Sequence, residues 1–216
     1  MAPDGFCVLA VTNASTREVN NLCTQMFSGR TFVCFSADSV FDPEDSCRYP
    51  TEFLNALSLP GVPEHQLVLK IGMPVVLLRN LNPKLGLCNG VRLNVTDVLN
   101  ERLLCVKLAS NPNGETFHIP RISMIVDDTK DIPCKWRRRQ FPVMQAFSMT
   151  INKVQGQTLD KVAVWLEQPV FSHGQFYTAA SRVRNPDNVR FYVNEDHEAM
   201  GSVKTTRNFV YREALN

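Results

Sequence analysis

Apolar positions along the chain change period several times, and each change marks an element. Cys7–Val11 is a short apolar run that reads as a buried strand. Ser15 with Glu18 forms a capping-box pattern, and Val19, Leu22, Cys23, Met26 and Phe27 then recur at helical spacing until Gly29 stops the helix. Strand, polar turn and amphipathic helix open an alternating α/β arrangement. Thr31–Phe35 (TFVCF) is strand-like, and the acidic SADSVFDPED that follows reads as a surface connection.

From Glu52 the pattern shifts. Glu52–Leu59 is a short helix ended by Pro60-Gly61, and Leu67–Leu78 is β-rich around Gly72-Met73-Pro74. Val91–Val98 and Leu103–Leu108 are strands joined by a turn at Asn100, and Asn113-Gly114 is a hairpin signal leading into Thr116–Ile119. Short strands joined by tight turns predict a small antiparallel barrel. Val143–Met149 and Val162–Leu166 then flank a polar turn, Asn152–Gln157. Ser172 and Gln175 make a second capping box, opening a helix with Gln175, Thr178 or Ala179, and Arg182 on one face. Phe176, Ala180 and Val183 form its apolar anchor, and Tyr177 reads as a further core aromatic. Asn188–Val193 is a closing strand, and Asn194–Asn216 a loose polar tail.

Composition narrows the classes. With 44% hydrophobic and 20% charged residues the chain is globular in character, and its 216 residues suffice for one sizeable core or a core carrying an insertion. A net charge of only +2 supplies no global field for nucleic acid, so a basic footprint must be local. Lys135–Arg139 (KWRRR) is the densest positive run. The seven cysteines are scattered without CxxC and the four histidines are dispersed, which supports neither a disulfide framework nor a metal site. No signal-peptide pattern opens the chain, and no apolar run approaches the roughly 20 residues of a membrane span.

Two blocks carry a resemblance. TINKVQGQTL at Thr150–Leu159 and FSHGQFYTAASRVR at Phe171–Arg184 resemble motifs V and VI of superfamily 1 helicases. They are most similar to the petite-integration-frequency helicases and the helicase half of Helitron transposons. CVLAVTNASTREVNN at Cys7–Asn21 resembles the motif IV region of that family, and Pro50–Leu93 looks like its inserted Src-homology-3-like domain. The implied fold class is α/β: a second RecA-like domain of the phosphate-loop NTPase type, a parallel sheet with helices, carrying an inserted antiparallel β-barrel. Residues 1–50 and 140–193 would form the RecA-like part, 51–139 the barrel, and 194–216 the tail.

The resemblance also implies roles. Arg182 would be the arginine finger that stabilises charge on a transferred phosphoryl group, with Arg184 a weaker candidate. Gln155 and Gly156 would lie nearest ATP, while Asn13 reads equally as a helix cap or a nucleotide contact. Thr150, Asn152 and Lys153 would touch the single-stranded DNA backbone, joined by Arg137, Arg138 and Arg139 with Trp136 as a possible stacking ring. Val91 stands where threonine is usual, Asn152 where many relatives have histidine, and Val154 where a small polar residue is usual.

ATP and Mg2+ would be the cofactors of the intact helicase, but no GxxxxGK[ST] occurs in this sequence. Asp127-Asp128 after Met124–Val126 imitates a Walker B strand, yet no phosphate loop precedes it and it falls in the barrel region. The expectation is therefore the C-terminal portion of an ATP-dependent 5′-to-3′ DNA helicase, inactive as an ATPase alone. Its partners would be single-stranded DNA and a first RecA-like domain in cis or trans, at an intracellular, nuclear location. The alternative is a non-catalytic strand-binding or trans-completing module.

Overall fold

The computed structural model describes residues 6–100, 102–127 and 133–193, with 199–200, 203–204, 206, 208–209 and 211 beyond them. In chain order the elements are β1 (Phe6–Ala10), α1 (Asn13–Met26), β2 (Thr31–Phe35), β3 (Ala37–Val40), α2 (Thr51–Ala56), β4 (Gln66–Lys70), β5 (Pro74–Leu77) and β6 (Arg92–Leu99). They continue as β7 (Leu103–Leu108), β8 (Phe117–Pro120), β9 (Ile122–Val126), β10 (Trp136–Gln140), β11 (Val143–Gln145), β12 (Ser148–Thr150), β13 (Lys161–Leu166), α3 (Gln175–Ala180) and β14 (Val189–Val193). Two compact units result, one running to Phe27 and resuming at Ala146, the other Ser28–Gln145. The division thus falls at 27/28 and 145/146, whereas the family resemblance implied 50/51 and 139/140.

The first unit is built on a parallel sheet of order β12-β1-β13-β14. Its central strands are continuous apolar runs, with Cys7, Leu9, Val162, Val164 and Leu166 buried, as expected of strands covered by the fold. β12 and β13 do not pair with each other: each pairs with β1, so the turn between them crosses over that strand. The expected strand Val143–Met149 is split for the same reason. β11 pairs with β5 in the second unit, and β12 begins after Phe147 in the first.

Helix α1 departs from the expected polarity, with Val19, Cys23 and Phe27 of its apolar stripe only half-buried. Its buried positions are Ser15, Thr16, Asn20 and Thr24, while Leu22 is 52% and Met26 85% exposed. The reason is local hydrogen bonding at the edge of the sheet. Asn20 accepts from the Ser148 N–H at 2.8 Å and donates to the Ser148 carbonyl at 3.0 Å, so its amide replaces a missing strand neighbour. Thr12, not Ser15, caps the helix, its Oγ1 accepting from the Ser15 N–H at 3.1 Å.

The second unit is antiparallel throughout, in sheets β11-β5-β6-β7-β8, β3-β10-β9 and β2-β4. Asn100 adopts φ 48° in the turn between β6 and β7, where the sequence placed one. β7 then pairs with β8 around the Asn113-Gly114 region. Only the second half of SADSVFDPED is a surface connection: β3 occupies its first half, paired with β10, and Asp38 is buried. Leu54, Cys134 and Trp136 form a core cluster here, packed by Val40, Tyr49, Leu57, Leu59 and Val126.

Candidate functional site

Because the four strands of the first unit are parallel, their carboxyl ends share one edge: Ala10, Thr150, Leu166 and Val193. Ligands of open α/β sheets gather along that edge. After Thr150 the chain enters a 3-10 turn, Ile151–Val154. Ile151 and Val154 are buried and pin the turn, leaving Asn152, Lys153, Gln155 and Gly156 exposed. Gly156 has φ +80°, which a side chain disfavours, although nothing lies within 4 Å of where a Cβ would stand. Thr150 keeps only 9% of its surface and starts the turn, whereas Asn152 and Lys153 reach outward from it.

Arg182 lies beyond the end of α3, which stops at Ala180. Its Nη1 donates to the carbonyls of Gln157 at 3.2 Å and Val154 at 3.4 Å, bracketing Gln155-Gly156. Nε donates to the Thr178 carbonyl at 2.9 Å, and Nη2 to Ser181 Oγ at 2.9 Å. These bonds engage all but one of the guanidinium N–H groups. Arg182, Gln155 and Gly156 are therefore brought together, with the arginine acting in this state as a brace on the turn. Arg184 is exposed.

The start of α3 differs from the expected capping box. Gly174 is the N-cap, with φ 72° and no side-chain cap; Ser172 contributes only its carbonyl, 3.2 Å from the Gln175 N–H. Gln175 instead turns back, its Oε1 accepting from the Phe171 N–H at 3.2 Å. The buried face of α3 carries Gln175 and Ala179 rather than Phe176, which stacks on Phe191 with centroids 5.1 Å apart. Tyr177 is 73% exposed and not a core aromatic. The Gln175 side-chain nitrogen is buried without a partner among the described residues.

Asn13 is the first residue of α1 and exposed. Its neighbours form a relay at the same sheet edge: Thr12 Oγ1 lies 2.8 Å from Ser15 Oγ, which donates to Glu167 Oε2 at 2.7 Å. Glu167 directly follows β13, so this relay ties the start of α1 to the end of that strand. No motif pattern marked Glu167.

The basic run proves to be a strand, β10, and the two-residue period of a strand sorts it. Lys135, Arg137 and Arg139 are exposed, whereas Trp136, Arg138 and Gln140 are fully buried. Arg138 is therefore removed from the strand-contacting set. Nη2 and Nε bind the Asp38 carboxylate at 2.7 and 3.0 Å, and the guanidinium also donates to the carbonyls of Leu54, Leu57 and Pro63. Trp136 is no stacking ring for a base. It packs in the core cluster with the Arg138 guanidinium 5.2 Å from its ring centroid.

All seven cysteines are free. Burial pushes the Cys23, Cys105 and Cys134 thiols up, and the charges of Asp97 and Asp45 add to the effect at Cys105 and Cys134 respectively. Among the described residues no group of three or more His, Cys, Asp or Glu is placed to hold a metal ion. No described helix is long and apolar enough to cross a membrane.

Comparison with known proteins follows the same lines. Residues 52–98 match the model of the DNA helicase Pif1 2B domain. A human protein, ATP-dependent DNA helicase PIF1, is 35% identical over 131 residues, covering 57% of this chain and 19% of its own length. ATP-dependent DNA helicase PIF6 of Trypanosoma brucei brucei is 33% identical over 126 residues, covering 57% of this chain and 16% of its own. The crystal structure of Pif1 helicase from Candida albicans superposes with a TM-score of 0.66 at 25% identity, over 91% of this chain and 47% of that one. Bacteroides Pif1 bound to ssDNA gives 0.61 at 23% identity, over 86% and 40%, which speaks for the fold alone. The chain thus spans about a fifth of the curated relatives and less than half of the solved chains.

Proposed function

From the relationship of this chain to the Pif1-type DNA helicases, we propose that it is the C-terminal portion of an ATP-dependent 5′-to-3′ DNA helicase. It would supply the second RecA-like domain and an inserted Src-homology-3-like barrel, the latter formed by the antiparallel strands of the second unit. The observation that carries the reading is the bond pattern of Arg182. Its guanidinium clasps the carbonyls on either side of Gln155-Gly156, at the carboxyl edge of a parallel sheet.

In this reading Gln155, Gly156 and Asn13 face the nucleotide, and Arg182 supplies positive charge to its transferring phosphoryl group. ATP with Mg2+ contributes the phosphoryl group and the metal that neutralises it, with the metal ligands on a partner domain. Exposed Asn152 and Lys153 would follow the single-stranded DNA backbone, with Thr150 setting the turn that presents them. Lys153 offers a charged donor to phosphate, and Asn152 a neutral one, the residue that Helitron-type sequences carry. Arg182 braces the turn until the phosphoryl group arrives, so the nucleotide and the strand-facing residues are coupled through one hydrogen-bonded segment.

The test joins the chain to the phosphate-loop domain of a helicase of this type, by fusion or by mixing. The chain alone is expected to show no DNA-stimulated ATPase. The joined protein should show it, and Arg182→Ala should lower it by about 10³-fold or more. Recovery on mixing, rather than only on fusion, would favour the trans-completing module. An ATPase of the joined protein indifferent to Arg182→Ala, or a robust ATPase of the chain alone, would overturn the reading.

A further inference from the structure

The outer face of the β3-β10-β9 sheet has an unusual side-chain set for a chain of net charge +2. Arg137 and Arg139 alternate along β10 and point away from the buried Arg138, and Lys135 extends the series at the strand's start. Such residues repeat about every 7 Å along a strand, comparable to successive phosphates of an extended nucleic-acid strand. The Phe41 N–H donates to the Lys135 carbonyl at 3.0 Å, continuing the β3-β10 pairing. That bond puts Phe41 beside the basic series, its ring 46% exposed. The Arg137 guanidinium and the Lys135 ammonium lie 5.7 and 5.8 Å from its centroid. Ile125, 53% exposed, stands opposite Arg137 on β9.

We propose that this face is a platform for single-stranded DNA, with Phe41 stacking on a base and Arg137 and Arg139 contacting the backbone phosphates. The proposal rests on reading the chain as part of a strand-handling helicase, and adds a second contact region with a named stacking residue. An aromatic ring flanked by cations is how a protein binds unpaired bases without reading their sequence, because every base offers a π-face. A duplex hides those faces. The platform is held from behind, since the Arg138–Asp38 pair and the Trp136 ring lock the buried side of the same strand. Ser39 Oγ accepts from Arg137 Nε at 2.9 Å and orients that side chain. Acidic groups limit the strip at one end: Asp127 pairs with Lys135 at 2.9 Å, and exposed Asp42 and Glu44 and half-buried Asp45 follow Phe41. Arg137 and Arg139 therefore carry the phosphate contacts, with Lys135 already neutralised.

The experiment measures binding of a fluorescent oligothymidylate, and of a duplex of equal length, to the whole chain over a salt series. Phe41→Ala and Phe41→Leu should each weaken oligothymidylate binding about five-fold or more and leave duplex binding unchanged, and Phe41→Trp should retain affinity. The Arg137→Ala/Arg139→Ala double variant should reduce the slope of log affinity against log salt by about 1.4. Circular dichroism melts establish that each variant is folded, and Phe41→Leu preserves an apolar side chain should Phe41→Ala not fold. Oligothymidylate affinity unchanged in the Phe41→Leu and double-arginine variants would overturn the proposal. If Lys153→Ala still weakened binding in that case, the strand track of the first unit would stand and only this platform would fall. Equal losses on duplex and oligothymidylate from Phe41→Leu would also overturn it, because stacking on unpaired bases would not then explain the effect.

Discussion

Replacing Asp38 by Ala removes the carboxylate paired with the fully buried Arg138 guanidinium. Arg138 would keep its three carbonyl partners, Leu54, Leu57 and Pro63, but lose the bonds from Nε at 3.0 Å and Nη2 at 2.7 Å. Ser36 Oγ, which donates to Asp38 at 2.7 Å, would also lose its acceptor. Stranding a buried charge in this way costs about 3–5 kcal/mol, far more than the net worth of the intact pair. For a domain of this size 1 kcal/mol moves the midpoint by about 4–8 °C, so even the lower bound predicts a fall of about 12 °C in the melting of the second unit. Arg137→Ala, one residue away on the exposed face, should stay within about 0.5 kcal/mol. Thermal and urea denaturation of the whole chain, followed through Trp136 fluorescence in a Trp165→Phe background, reads both. The reasoning is refuted if Asp38→Ala costs less than 1 kcal/mol, or if Arg137→Ala costs as much as Asp38→Ala.

Other perturbations probe separate links. Asn20→Ala should cost about 2–4 kcal/mol, because both the N–H and the carbonyl of Ser148 lose their partner; hydrogen exchange at Ser148 should rise accordingly. Gly156→Ala should cost about 1 kcal/mol in urea denaturation, purely from the positive φ, since no atom stands in the way of a Cβ. Iodoacetamide at neutral pH should label exposed Cys47 first, mapped by mass spectrometry. Cys105 and Cys134 should follow only as pH rises, because raised thiol pKa values leave less thiolate at any given pH and burial restricts access. Early labelling of Cys134 would contradict its placement in the core cluster.

Much of this arrangement was legible before folding. Apolar runs located β1, β2, β6, β7 and β13, and the Asn100 and Asn113-Gly114 turns located the hairpins of the second unit. These features are local: strand propensity and turn chemistry act over a few residues, and each residue carries its own signal. The TINKVQGQTL and FSHGQFYTAASRVR blocks likewise marked the segments that Arg182 ties together.

Partners distant in sequence decided the rest. The basic run KWRRR divides into Arg137 and Arg139 outside and Trp136 and Arg138 inside because β10 lies between β3 and β9 with one face packed against residues 54–63. Nothing in SADSVFDPED reveals that Asp38 will be the counter-ion of a residue one hundred positions later. Helix α1 carries the same lesson with opposite sign: its buried positions are polar, Asn20 among them to satisfy the backbone of β12, while Leu22 and Met26 of its apolar stripe face outward. Periodicity states which residues share a face of an element. Which face is buried is a matter of desolvation and hydrogen-bond satisfaction, and those depend on what the whole chain brings alongside.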